Sequence, residues 1–227
     1  MTTNVEILHG SHTLPAERQR VLRNTYALLA LSMLPTVLGA WLGVATGITS
    51  WMSPMVSLIV FMGGAFGLMF AIEKTKHSAA GVAVLLGFTF FMGLMLSRLL
   101  AVILTKGNGA GVVMMAFAGT SAAFFGMALL STVVKRDLSG LSRFLFIGAI
   151  GILVVGIANV FIQSSALMMT VSVLAVLVFS AFILVDLKRV RDGEETNYIS
   201  ATLGVYLSLY NVFQSLLVLF GMGGSDD

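Results

Sequence analysis

Cysteine is absent from this chain. That excludes a disulfide framework, a thiolate metal site and a cysteine nucleophile. Histidine is nearly absent too: His9, His12 and His77 all lie in the N-terminal stretch or between apolar runs. A membrane metalloprotease of the H-E-x-x-H kind needs two imidazoles one helical turn apart beside a general base, and no such pair exists. An intramembrane serine protease needs a base beside its nucleophile. Gly119-Thr120-Ser121 offers a serine, but no histidine lies within a run, so Ser121 reads as a small packing residue. No glycine-rich phosphate loop with a lysine is present. The chain therefore reads as a non-enzyme, with no catalytic residue, metal-ligand set or cofactor motif.

Charge is the next shortage. Charged residues make up 10% of the chain and hydrophobic residues 58%, whereas a soluble domain carries about 25% charged residues. No soluble fold of 227 residues buries that much apolar surface, so the solvent must be a lipid bilayer. The net positive charge does not signal nucleic acid, because the basic residues sit in short connections between apolar runs. Residues 1–20 carry Glu6, His9, His12, Glu17, Arg18 and Arg20 without an apolar core, so they are not a signal peptide. They read as a flexible tail with little to pack against.

Seven apolar runs follow, at approximately 25–45, 52–72, 79–104, 110–134, 143–163, 166–187 and 199–221. A helix needs about 20 residues to cross the hydrocarbon core, and helices satisfy their own backbone hydrogen bonds there. The expected fold is an all-α integral membrane protein. Its organisation is a tail at 1–22, a seven-helix domain at 23–221 and a short C-terminal tail at 222–227. No separate soluble domain, strong repeat or low-complexity segment is evident. The fifth and sixth runs are so close that they predict an antiparallel hairpin.

Eleven of the thirteen basic residues fall on one side of this arrangement: Arg18, Arg20, Arg23, Lys74, Lys76, Lys135, Arg136, Arg143, Lys188, Arg189 and Arg191. Lys106 and Arg98 belong to the other. The positive-inside rule then makes the N-terminus cytoplasmic, and seven crossings put the C-terminus outside. Trp41 and Trp51 flank the first outer turn, as interface aromatics do. The seventh run is polar enough to leave open a re-entrant segment, which would return the C-terminus to the cytoplasm.

Polar groups within the runs are the candidates for function. Arg98, near the outer end of the third run, reads as snorkelling to the headgroups, with a functional charge as the alternative. Gly39–Gly43 and Gly63–Gly67, with Gly64, have the spacing that lets helix backbones approach. They are read as packing inside the chain rather than as a dimer face. Asp186 ends the sixth run, and a short basic loop follows it: Lys188, Arg189 and Arg191. Three readings of Asp186 stand: an interface carboxylate paired with Lys188, Arg189 or Lys74; a pH-sensitive latch whose protonation releases the sixth helix; or direct cation binding. The seventh run carries a polar stripe, Gly204, Ser208, Asn211 and Ser215, which lies on one helical face. That face must point into the bundle. There it either makes interhelical hydrogen bonds, with Asn159 a candidate partner, or lines a hydrated path. Ser208 lies about 14 Å along its helix, close to mid-membrane.

Four words carry a resemblance: Val21-Leu22-Arg23-Asn24-Thr25-Tyr26, Gly67-Leu68-Met69-Phe70, Gly193-Glu194-Glu195-Thr196-Asn197-Tyr198-Ile199 and Tyr206-Leu207-Ser208-Leu209-Tyr210-Asn211-Val212-Phe213. In these the chain resembles the Bax inhibitor-1 (transmembrane BAX inhibitor motif) family, and within it a bacterial branch of modulators of the membrane protease FtsH. The resemblance covers about Val21 to Gly221. It implies six helices around a central, more polar seventh, a bacterial inner-membrane location, and a membrane-anchored ATP-dependent protease as partner. Channel-like members imply an alternative, a pH-sensitive calcium or cation leak. They use one aspartate at the end of the sixth helix and another in the seventh, with an arginine in the second helix. Asp186 matches the first aspartate. The second falls on Ser208, and the second run offers only Glu73 and Lys74 at its end. Both departures weaken the leak reading, and the modulator branch carries serine at the position of Ser208. On the modulator reading, residues 1–20 are the element the protease grips.

Overall fold

A computed structural model of the chain describes residues 15–223. Seven α-helices run in chain order: α1 (Pro15–Thr46), α2 (Pro54–Thr75), α3 (Ala79–Leu104), α4 (Gly109–Val133), α5 (Ser139–Ile162), α6 (Ser165–Asp192) and α7 (Tyr198–Gly223). All seven are long and apolar enough to span a membrane, and no strand occurs among the described residues. The chain is a multi-pass membrane protein.

Two ends differ from the expected ones. α1 begins at Pro15, so residues 15–22, expected within a flexible tail, are helical. Proline's fixed φ suits a first helical turn, Glu17 complements the helix dipole, and Ala16, Gln19, Arg20 and Leu22 are good helix formers. Residues 1–14 of the expected tail, and all but the start of 222–227, lie outside the described residues. α6 continues through Asp192 to a left-handed Gly193 cap at φ 84°. Lys188, Arg189 and Arg191 therefore occupy its last turns and not a loop. Cations favour a helix C-terminus, and glycine is the residue that closes one in the left-handed conformation.

Side-chain caps mark other boundaries. Ser53 accepts from the Val56 amide at the start of α2, and Ser164 accepts from Leu167 at the start of α6. Asp137 accepts from the amide and the hydroxyl of Ser139, each at 2.8 Å. These bonds hold its carboxyl below the ordinary range. Gln163 and Ser164 alone join α5 to α6, as the hairpin expectation requires.

Bonds between turns fix which ends lie together. Asn197 Nδ2 donates to the Lys76 carbonyl at 2.8 Å, joining the α6–α7 loop to the α2–α3 turn. Arg191 donates to the Val134 carbonyl at 3.2 Å, joining the end of α6 to the end of α4. At the opposite end, Lys106 donates to the Gly221 carbonyl, joining the α3–α4 turn to the end of α7. α7 is one unbroken helix of 26 residues, or about 39 Å at 1.5 Å per residue. It crosses the bundle completely, and the re-entrant alternative falls.

In lipid the hydrophobic effect does not drive helices together, so close packing and hydrogen bonds must. α1 lies along α3, and α6 lies along α7; α7 also packs on α1, α2, α3 and α4. The core concentrates on α3 and α7, with Leu85, Phe88, Val205, Val212 and Leu217 fully buried. α7 thus packs on five of the other six helices. α5 packs on α6 and α2 and makes no close approach to α7.

Buried hydroxyls tie the core together. Tyr206 meets Thr36 Oγ1 at 2.9 Å and donates to the Thr89 carbonyl at 3.4 Å, joining α7 to α1 and α3. Tyr210 donates to the Met92 carbonyl at 3.2 Å. The ring of Phe88 packs edge-on against Tyr206 with centroids 6.0 Å apart.

Candidate functional site

The site builds up along the seam between α6 and α7. Asp186 stands six residues before the end of α6, about 9 Å along the helix at 1.5 Å per residue. Its half-buried carboxylate lies over Gly204. A Cβ added to Gly204 would meet Asp186 Oδ2 at 3.1 Å and Cγ at 3.3 Å. Glycine at 204 thus leaves the space the carboxylate occupies. Ser200 and Ser208 lie one turn to either side of Gly204 on the same face of α7. Ser208 is buried. Ser200 Oγ is enclosed and has no hydrogen-bond partner among the described residues, a costly state for a buried hydroxyl. The sequence stripe therefore gains Ser200 at its N-terminal end. The signal was available: Ser200 precedes Gly204 by four residues.

Among the described residues Asp186 forms no close ion pair with Lys188, Arg189 or Lys74. Lys188 pairs with Asp192, Arg189 faces Glu194 at 3.9 Å, and the Lys74 ammonium sits over the Phe70 ring, 5.3 Å from its centroid. Helix geometry explains the first case. Residues i and i+2 point to different sides, whereas i and i+4 face each other. Lys188 therefore meets Asp192 and not Asp186. The structure brings Asp186 and Gly204 together, leaves Lys74 elsewhere, and forms no hydrogen bond between Asp186 and Ser208 among the described residues. No cluster of three or more His, Cys, Asp or Glu able to hold a metal occurs among them either.

Farther along the stripe, Asn211 donates to the Leu207 carbonyl of its own helix at 2.8 Å. Asn159 accepts from the Ser164 amide at 3.0 Å and so closes the α5–α6 turn. The expected bond between these two asparagines does not form, because α5 does not approach α7. Ser215 is buried. Ser208 and Ser215 face inward while Gly204 and Asn211 are half-buried, and the interhelical bonds of α7 come from Tyr206, Tyr210 and Thr202, whose hydroxyl donates to the Thr25 carbonyl at 3.4 Å.

Arg98 also departs from expectation. Its guanidinium donates to the Met52 carbonyl at 3.2 Å and to Ser57 Oγ at 2.9 Å. It clasps the α1–α2 turn and the start of α2 rather than snorkelling. Beside it, Thr49 and Ser97 share a buried hydroxyl bond of 2.9 Å. The glycines divide. Gly39 and Gly43 press on α3, and Gly64 on the Phe91 ring, as internal packing requires. A Cβ at Gly63 or Gly67 would meet nothing within 4 Å among the described residues, so these two do not take part in the packing seen at Gly39, Gly43 and Gly64.

At the end of the bundle that carries the α6–α7 loop, a cleft of about 350 Å³ opens between the first turns of α1 and that loop. Glu17, Arg20, Asn24, Glu195 and Tyr198 are among its lining residues. Its charge is mixed, and it borders the point where residues 1–14 join α1.

Comparison with known proteins gives a consistent picture. The family model described as "Inhibitor of apoptosis-promoting Bax1" matches residues 18–225. The chain is similar to "Modulator of FtsH protease YccA" of Escherichia coli K12, with 36% identity over 97% of this chain and 99% of that protein. It is also similar to an uncharacterized membrane protein of Vibrio cholerae, with 36% identity over 93% of each. An uncharacterized protein of Pseudomonas aeruginosa shows 38% identity over 91% of each.

Proposed function

The chain belongs to the Bax inhibitor-1 family, and from there we propose that it is a non-enzymatic inner-membrane modulator that binds and inhibits a membrane-anchored ATP-dependent protease of the FtsH type. The observation that carries this reading is the end-to-end similarity to the protein named a modulator of FtsH protease, covering 97% of this chain. By inhibiting, it would limit the attack of the protease on other membrane proteins. The mechanism is binding: a bundle that resists extraction occupies the machine. The handle is the segment ahead of α1, since chain ends are where such machines take hold. With α1 starting at Pro15, that segment is residues 1–14, shorter than the 1–20 the sequence suggested. The positive-inside rule places it in the cytoplasm with the protease, together with the mixed-charge cleft beside it, and places the end of α7 in the periplasm.

The leak alternative has less support. A pH-sensitive calcium path of the paired type needs two carboxylates close enough to share a proton. Here Ser208 stands on α7 where the second would be, and Asp186 lies against a glycine.

Co-purification tests the proposal. The C-terminally tagged chain is extracted in mild detergent, with and without residues 1–14. Recovery of the protease with the full chain and its loss on truncation is the expected result. No recovery with the full chain contradicts the proposal; recovery that is indifferent to the truncation contradicts the handle.

A further inference from the structure

A second cleft opens on another side of the first turns of α1. It holds about 390 Å³ and is lined by Ala16, Arg18, Gln19 and Leu22 of α1 with Arg191 of α6. The cleft at the α6–α7 loop has acids in its wall, Glu17 and Glu195. Among the described residues the second cleft has two guanidiniums and an amide in its wall, and no carboxylate.

Arg191 is short of acceptors. Its Nη2 donates to the Val134 carbonyl at 3.2 Å. Nε and Nη2 also reach Asp192 Oδ1 at 3.4 and 3.3 Å. That carboxylate is shared, because its other oxygen takes the Lys188 ammonium, so neither cation has it to itself. Arg191 Nη1 is enclosed and has no partner among the described residues. An unanswered donor on a charged group costs more than one on a neutral group. The fork of Arg191 is thus held on one edge by α4 and Asp192, and its remaining nitrogen lacks an acceptor. The same side chain lines a cleft whose other wall adds Arg18.

Phosphate is the acceptor that suits a pair of guanidiniums, whose planar forks match its oxygens. The depth of the cleft says which phosphate. Leu22 stands three residues, about 4.5 Å, ahead of the apolar run that begins at Thr25, and Arg18 seven residues, about 10 Å. The headgroup layer is about 5–8 Å deep on each face of a bilayer. Leu22 therefore meets the acyl boundary, and the guanidiniums reach the phosphate level. Basic pockets between membrane helices on the cytoplasmic side take anionic headgroups, and the positive-inside rule puts this end of the bundle there.

We propose that the cleft between the first turns of α1 and the end of α6 binds the phosphate of an anionic phospholipid, with Arg18 and Arg191 as its cationic pair and Gln19 as a further donor. The bound lipid bridges α1 to α6, and through the Val134 bond to the end of α4. The site stands whether or not the chain binds a protease.

Lipid retention tests it. The full chain in neutral detergent is titrated with phosphatidylglycerol or with phosphatidylcholine, and native mass spectrometry counts the lipid retained; inorganic phosphate is then added as competitor. Wild type should retain one phosphatidylglycerol in preference to phosphatidylcholine, whose choline cancels the charge. Arg18→Gln and Arg191→Gln should each weaken that binding about tenfold, the worth of one hydrogen bond to a charged group. Arg191→Lys, which keeps the charge and loses the fork, should fall between. Arg143→Gln, exposed at the start of α5 and outside the cleft, should bind as wild type. Arg18→Gln leaves the Val134 bond in place, so it carries the test if Arg191→Gln does not fold. Equal retention of the two lipids by wild type overturns the proposal, as does wild-type binding in Arg18→Gln. Equal weakening by Arg143→Gln means attraction to the basic surface at large and overturns the cleft. Displacement of the lipid by millimolar inorganic phosphate makes free phosphate the ligand and overturns the lipid.

Discussion

Gly204→Ala is the sharpest probe of the α6–α7 seam. In a free helix interior this change would stabilise by about 1 kcal/mol, because glycine is the poorer helix former. Here the new methyl meets Asp186 Oδ2 at 3.1 Å and Cγ at 3.3 Å. The carboxylate or the helix must give by a few tenths of an ångström, and overpacking of this kind costs about 1–3 kcal/mol. The two effects oppose, so Gly204→Ala alone should lie between neutral and about 2 kcal/mol destabilising. Removing the obstacle reverses the sign. In an Asp186→Ala background only the helix-propensity gain remains, and the same change should stabilise by about 1 kcal/mol. The cycle therefore predicts a coupling of about 1–3 kcal/mol in which each change relieves the other. Unfolding of the four proteins in one mild detergent measures it. Additivity within about 0.5 kcal/mol would refute the placement of the carboxylate over Gly204.

Other expectations follow from particular contacts. Arg98→Gln should destabilise by about 1.5–3 kcal/mol, the worth of hydrogen bonds made by a charged group, and Ser57→Ala by less; thermal unfolding in detergent measures both. Tyr206→Phe removes one buried hydroxyl without changing the ring, so its cost should be about 0.6–1.7 kcal/mol, the range of hydrogen bonds between membrane helices. In liposomes loaded with a calcium dye, neither the wild type nor Asp186→Asn should show calcium flux that rises as pH falls. A flux present in wild type and lost in Asp186→Asn would restore the leak reading.

Much of this molecule could be read from its sequence because lipid imposes few solutions. Long apolar runs with charged connections give helices, and their number and order followed directly. The inward face of Gly204, Ser208 and Ser215 was equally legible, since three-to-four-residue spacing defines a helical face. The misreadings share a cause. Which partner a polar side chain takes depends on which helices touch, and composition does not encode that. Asn159 closes its own turn because α5 stands away from α7. Lys188 takes Asp192 because the charge run continues the helix instead of forming a loop. Arg98 looked free to snorkel until the α1–α2 turn was seen to lie beneath it. The α1–α3 contact was half legible: the spacing of Gly39 and Gly43 reads as packing, but their counterparts Gly93 and Ser97 are one small pair among 24 glycines and many serines.

The central claim is that this chain restrains a membrane-anchored ATP-dependent protease. It is tested most directly by reconstituting FtsH in proteoliposomes with a membrane-protein substrate, adding this chain at increasing ratio, and following substrate loss under ATP. The account predicts that substrate degradation slows in proportion to the chain added while ATP hydrolysis continues. Degradation at an unchanged rate across the whole titration would contradict it.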